Sequence, residues 1–465
     1  MGGAAFASGD RPLHTPRMPR PVYHDVKSRC MAILRQTYVC VASPIDGPGK
    51  TDFGDIDILV AWPKDFNVDG SLQDTRRGLD AIADALGAAR IIVNDACASN
   101  LALPWPRRLL KDEESAAAAD ENMPDDRYIQ VDVRICRSLQ EMQWMLFKHA
   151  HGDIWNILGS TTRPYGLTVD DGALWLRVPE IEKTNRNRAK VLLTSEPARV
   201  LAFLGLPVVD YWDRPFESLD AMFEYAARCR MMYVPPPDDD PSAAAAAATS
   251  SITRIQDGGT EQQQQQQAAA EDRKKLKAND RRRMRGRPAF RAWVDAFLPA
   301  CRRAGRFAAP QTTRERVTEE ALRAFPHARD DFAARRDDFL RERQRETIWN
   351  VLIKGAVPEP DRATATGAEV TYRACLVKAL KRVILEGDES YDDVIRRRDE
   401  GREEDEEERE SLRDERGFWR LDRVVDFIER HKDCVGEMAY ARQNERYMEH
   451  LKAKEAKAKA AGGGQ

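Results

Sequence analysis

Apolar and polar positions alternate in Asp55-Ile56-Asp57-Ile58, and a period of two predicts a strand with two unlike faces. Ile56 and Ile58 turn toward a core, so Asp55 and Asp57 share the other face. The strand follows an apolar run from Tyr38 to Ala42, then Ser43 and a Gly/Pro-rich turn, and it ends near Trp62-Pro63. Tyr128 to Ile135 reads as another strand, with Asp132 between Val131 and Val133. Helical spacing marks 22–36 (Val26, Cys30, Ile33, Leu34), 71–86 (Leu72, Leu79, Ile82, Ala83, Leu86) and about 138–148. Ile91-Ile92-Val93 is a short strand, and 109–126, acidic and Ala-rich, reads as a loop. Asp171-Gly172 is a hairpin signal between two short strands within 165–177. Ser195 as N-cap, Pro197 at the start and Gly205 at the end delimit a helix, and Leu219, Met222, Phe223 and Ala226 define the next one.

Periodicity then lapses. From Pro235 to about Ala270 come prolines, an acidic run, poly-Ala and poly-Gln, the composition of a disordered linker. Helical patterns resume over 290–307, 316–354, 370–385 and 421–451, with a mixed-charge segment at 399–416. No strand pattern interrupts them, so the C-terminal part is expected to be all-α.

The chemistry lies in the carboxylates. Two side by side repel each other, and a chain tolerates them where a cation neutralises them or where both are solvated. A pair of exposed Asp on an edge strand satisfies the second condition. If the strand of Asp132 lies beside that of Asp55 and Asp57, three carboxylates converge. Three hard oxygen donors on rigid strands suit Mg2+, and two such ions can assist phosphoryl transfer.

Ser43 followed by Asp55-Ile56-Asp57-Ile58 resembles the nucleotidyltransferase-superfamily signature. More narrowly, Phe53 to Pro63 and Ile129 to Ile135 resemble the palm strands of family X DNA polymerases, the DNA polymerase β-like group. The resemblance spans roughly residues 17 to 233. It implies an α+β fold: a nucleotidyltransferase-type palm, a mixed sheet flanked by helices, then a small α/β subdomain and the mainly α C-terminal domain. The expected divisions are 1–20, a disordered N-terminus; 21–136, the palm; 137–233, a thumb-like nucleotide-binding subdomain; 234–287, a disordered low-complexity and basic linker; 288–455, the helical domain; and 456–465, a disordered tail.

The resemblance implies that Asp55 and Asp57 bind two Mg2+ (or Mn2+) ions, and that Asp132 binds the catalytic one and helps activate the attacking hydroxyl. It places Ser43 and Gly54 near the phosphates, with Lys50 the nearest cation, and it places Asp153 at the incoming base and Asn156 at its edge; Lys148 and His151 are open between contact with a triphosphate and a solvated helix entry. It implies transfer of a nucleoside monophosphate from an NTP or dNTP to a hydroxyl, with DNA or RNA as partner. There are departures. Ala42 and Pro44-Ile45 flank Ser43 where the family has a Gly and a basic residue, and Lys148, His149 and His151 replace its aromatic-plus-Gly-Ser segment. The helix-hairpin-helix modules usual upstream are not expected ahead of this palm. A protein or small-molecule acceptor on the same palm, or an inactive palm kept as a nucleic-acid-binding or interaction module, stay open as alternatives.

Composition adds limits. A net charge of −3 announces no polyanion partner for the molecule as a whole, so basic surface must be local. Arg273 to Arg287 supplies it, nine Lys or Arg against Asp280 alone, which fits phosphate binding, nuclear import or a solvated helix. The eight cysteines show no zinc spacing and read as reduced thiols. No stretch approaches a membrane span. These features suggest an intracellular protein, with the nucleus favoured over the cytoplasm.

Overall fold

The computed structural model describes residues 3–9, 11–65, 72–106, 127–236, 278–361, 363–399 and 412–462. The expected loop at 109–126, most of the linker and most of the mixed-charge segment at 399–416 lie outside these residues. The chain divides into two compact units, Met1–Arg329 and Asp330–Gln465. The first is a mixed α/β structure, the second helical.

The first unit is built on strand β4. Short strand β1 (Met18–Pro19) leads into helix α1 (Arg20–Thr37) and strand β2 (Tyr38–Ala42); β3 (Asp52–Phe53) returns to pair with β1, and β4 (Asp55–Pro63) follows. Helix α2 (Leu72–Leu86) connects to β5 (Arg90–Asp95), β6 (Ala98–Pro104) and β7 (Tyr128–Cys136). The five-stranded sheet runs in the order β2-β4-β7-β6-β5, with β4 and β7 parallel and the other neighbours antiparallel. On one face Ile56, Ile58, Val60, Val131 and Val133 pack under Val22, Val26, Cys30 and Leu34 of α1 and Ile82 of α2. Each such fully buried aliphatic side chain contributes about 1.5–3 kcal/mol.

The second face is divided along its length. Helix α3 (Leu139–His149), N-capped by Ser138, lays Met142 and Met145 on Leu59, Ala61 and Cys136. Beyond that patch, the starts of β4 and β7 carry Asp55, Asp57, Gln130 and Asp132. Helix α4 (Ile154–Thr162) then leads to a three-stranded antiparallel sheet of β8 (Leu167–Val169), β9 (Leu174–Arg177) and β10 (Lys190–Thr194). Helices α5 (Pro197–Leu204) and α6 (Leu219–Ala227) follow.

Several expectations change. Residues 1–20 do not stay free of the fold: Phe6 is buried, the Leu13 N–H donates to the Phe6 carbonyl at 2.9 Å, and Met18 is buried beside Phe53. These two apolar anchors are joined by the β1–β3 pair and by the Arg17–Asp52 ion pair at 2.8 Å in holding this polar, Pro/Arg-containing segment. Helix α7 (Ala278–Gly286), expected within the linker, is a regular helix of the first unit, which also takes in 288–329. There Trp293 meets Phe223 edge-on at 5.5 Å. The helical stretch expected over 316–354 is broken: α8 (Arg314–Ala324) stops at Phe325, before Pro326, and α9 (Ala328–Thr347) begins after it.

In the second unit, α10 (Gly367–Lys381), closed by a Thr366/Glu369 capping box, packs Leu376, Val377 and Leu380 with Val424, Ile428 and Val435 of α11 (Leu421–Gly462). Helix α11 continues past the expected domain end at 455. Among the described residues no helix is long and apolar enough to cross a membrane.

Candidate active site

Register decides what the sheet assembles. In the parallel ladder Asp55 stands opposite Gln130 and Asp57 opposite Asp132. Neighbouring strands are about 4.8 Å apart and side chains two apart share a face. The three carboxylates therefore occupy adjacent positions on one face, as the alternating pattern requires. In the antiparallel ladder on the other side, Asn100 stands opposite Asp132.

Asp132 is held on one side. Its Oδ1 accepts hydrogen bonds from Asn100 Nδ2 and, at 2.8 Å, from Gln130 Nε2. Both amides are buried, and both are held in turn. Asn94 Nδ2 donates to Asn100 Oδ1, and the Ala5 backbone N–H donates to Gln130 Oε1 at 2.9 Å. The N-terminal segment thus reaches the site through the backbone.

The electrostatics follow from crowding. Asp57 opens to solvent, but protein packs densely on its remaining sides. This desolvation, then the charges of Asp55 and Asp132, push its carboxyl up to about 7 against the pull of Lys50 and Lys27. Desolvation and the Asp55 charge raise Asp132 to about 6, while the bonds from Asn100 and Gln130 act the other way. Lys27 is placed by Tyr23: its Nζ lies 3.1 Å from the Tyr23 hydroxyl and 3.6 Å from Asp46 Oδ2. The Tyr23 ring stacks on Phe53 at 3.8 Å.

A cavity of about 120 Å³ opens beside the carboxylates, lined in part by Pro44, Asp57, Asn94, Asn100, Asp132 and His149. Small-molecule pockets run to several hundred Å3, so this one takes only part of a nucleotide.

The other expected site residues divide. Ser43 is half-buried just past the Ala42–Leu59 pair, and Lys50 is exposed in the same turn, its Nζ 5.6 Å from the Phe53 ring. Gly54 is buried against Gly3: a Cβ added to Gly3 would lie 2.3 Å from the Gly54 carbonyl oxygen. Its backbone is thus covered by the N-terminal segment. Lys148 reaches Asp171 at 3.9 Å, toward the small sheet.

His151 is a correction. It is fully buried with φ 56°, its Nε2 lies 2.7 Å from the Tyr211 carbonyl, and its ring is 4.5 Å from that of Phe216. It is a core residue, and no nucleotide can reach it in this conformation. Asp153 accepts from Arg287 Nη1 at 2.6 Å and from Asn156 Nδ2 at 3.3 Å, so the two residues expected to meet the incoming base are bonded to each other and to an arginine. Sequence reasoning missed Asn100 and assigned no role to Gln130.

Among the described residues no group of three or more His, Cys, Asp or Glu side chains stands at metal-binding spacing. The donor chemistry nonetheless fits a hard divalent cation: the charges of Asp55 and Asp132 push the Asp57 carboxyl up, and such an ion relieves that repulsion. No family model matches the chain, and no curated protein matches it either.

Proposed function

We propose that this protein is a metal-dependent nucleotidyltransferase of the DNA polymerase β-like kind, its five-stranded sheet serving as the palm. It transfers a nucleoside monophosphate from an NTP or dNTP to a hydroxyl, at a nucleic-acid 3′ end, and releases pyrophosphate. The observation that supports this reading best is the register that puts Asp57 beside Asp132, with Asp55 one step earlier on the same face.

Asp55 and Asp57 would hold two Mg2+ or Mn2+ ions and Asp132 one of them. Bound there, the ions would acidify the attacking hydroxyl and neutralise the departing pyrophosphate. The chain's own residues supply placement. Asn100 and Gln130 fix Asp132 by Oδ1, and Oδ2 would then be the atom that takes the proton of the acceptor hydroxyl. Ser43 and Lys50 stand in the turn that would meet the triphosphate. Such positioning is worth several kcal/mol of barrier without any covalent step.

One observation favours an inert palm retained for binding. Pro44 supplies no N–H to the turn, and Gly47 packs against Gly152, where an added Cβ would lie 3.5 Å from the Gly152 Cα. The turn then offers few amides to a phosphate. Incubation with each labelled NTP and dNTP, Mg2+ or Mn2+, and a panel of DNA and RNA primers decides between the two. Label incorporated by the wild type and lost in Asp55→Asn/Asp57→Asn supports the enzyme. Absence of transfer to every acceptor, with nucleic acid bound equally by both proteins, supports the inert palm.

A further inference from the structure

Helix α7 concentrates charge in one direction. Asp280 and Met284, one turn apart, face inward and are buried, while Arg281, Arg282 and Arg285 face outward and are exposed. The helix is fixed to the unit that carries the carboxylates. Asp280 Oδ1 accepts from Arg163 Nη1 at 3.4 Å and from Arg283 Nη1, and just past the helix Arg287 reaches Asp153 at 2.6 Å. Arg291 Nε then donates to the Met284 carbonyl at 2.9 Å, closing the turn that follows.

The outward arc carries no acid. Asp280 is the single acidic residue between 278 and 292, and it faces inward. Arg186 lies near enough to add its charge to that of Arg283 around Arg163. Like charges gathered on a rigid element repel, and an anionic partner relieves that repulsion.

The position of this arc matters. Arg287 bonds Asp153, the neighbouring Gly152 packs on Gly47, and Pro44 of the same turn lines the cavity with Asp57 and Asp132. The basic arc and the carboxylates are thus joined through one loop cluster.

We propose that Arg281, Arg282 and Arg285 of α7 form a phosphodiester-binding surface that holds the acceptor nucleic acid beside the carboxylate face. The proposal rests on the reading of a nucleic-acid acceptor and specifies where that strand is gripped. The arc is made of guanidinium groups alone, which engage phosphate with two parallel donors. The one large apolar side chain of the helix, Met284, is buried, so the helix offers no apolar face to insert into a bilayer.

The test uses the full chain and fluorescence anisotropy with labelled single-stranded and duplex DNA and RNA over a salt series. Arg281→Ala/Arg282→Ala/Arg285→Ala is expected to weaken binding about ten- to a hundredfold and to flatten the log–log salt slope by about two to three. Arg281→Lys/Arg282→Lys/Arg285→Lys keeps the charge and should bind within a few-fold of wild type, which separates loss of contact from loss of fold. Binding is measured without nucleotide or divalent ions, so this result stands or falls apart from the transfer reaction. Equal binding by the triple Ala variant overturns the proposal and leaves the transferase reading intact. Binding to phosphatidylserine vesicles with none to nucleic acid overturns the proposal and the nucleic-acid acceptor together.

Discussion

The two units handle buried polarity in opposite ways. In the helical unit the described core is aliphatic and aromatic, and its buried polar side chain, His431, is closed off by Asp399 at 2.9 Å and the Phe427 carbonyl at 3.0 Å. In the first unit Asn100 and Gln130 are buried and both aim a donor at one carboxylate, which stands beside another whose charge is unfavourable. Polar groups in a core cost stability unless satisfied, and carboxylates kept together cost more. One unit is organised for packing; the other sacrifices stability at one end of a sheet. Such sacrifices gather where chemistry is done.

The contrast can be broken most directly at its most costly group. Asp57→Asn should lower nucleotide transfer by about two to three orders of magnitude, the effect of removing a principal electrostatic partner of a transition state. The same change removes a like charge, so the ion-free protein should melt higher at pH 8, by roughly 2–4 °C per kcal/mol relieved. Transfer assays and melting curves on one preparation check both signs.

The opposite trade is expected at Leu380, which is fully buried in the helical core. Leu380→Ala should cost about 2–5 kcal/mol, read as a lower denaturant midpoint. A loss near zero would mean that the helical unit is not packed as described.

A smaller effect belongs to Asn100→Leu. It leaves Asp132 with one donor on Oδ1, and kcat should fall about ten- to a hundredfold with KM for the nucleotide little changed, in line with about 1.5–3 kcal/mol for one hydrogen bond to a charge. Asn100→Gln, which keeps an amide, should recover part of the loss. A purely structural role would lower soluble yield and leave kcat unaltered.

The smallest effect is one of pH. Burial acts to raise the Glu182 carboxyl, but the hydrogen bond from Arg314 and the charges of Arg177 and Arg314 outweigh it and hold the group below the usual glutamate range. The unfolded chain then binds the proton more readily than the folded one. The stabilisation is present above the unfolded value, about 4.3, and is lost as pH falls below it. Glu182→Gln should flatten the acid limb of the stability curve measured between pH 6 and 3.

Legibility in the sequence differed in the same way. Asp55 and Asp57 were readable because Ile56 and Ile58 alternate with them, and Val131 and Val133 framed Asp132 likewise. Strand β6 was not readable: Ala98-Ser-Asn-Leu-Ala-Leu-Pro104 has no β-branched or aromatic residue, so Asn100 went unseen. His151 misled because its local context is polar, while Tyr211 and Phe216, which bury it, lie some sixty residues away. Phe6 and Met18 are lone apolar residues in a polar segment, and single anchors leave no period to detect. A helix at 278–286 was among the readings of the basic run, but its docking on the first unit was not readable, since Asp280 and Met284 set no apolar period.

The proposed chemistry requires the carboxylate row to be a cation site. Mn2+ binding, counted by electron paramagnetic resonance with and without a non-hydrolysable nucleoside triphosphate, tests it most directly. Wild-type protein with nucleotide should bind two ions, and Asp57→Asn and Asp132→Asn should each lose at least one while keeping their fold. Unchanged stoichiometry in both variants would contradict the assignment of Asp55, Asp57 and Asp132.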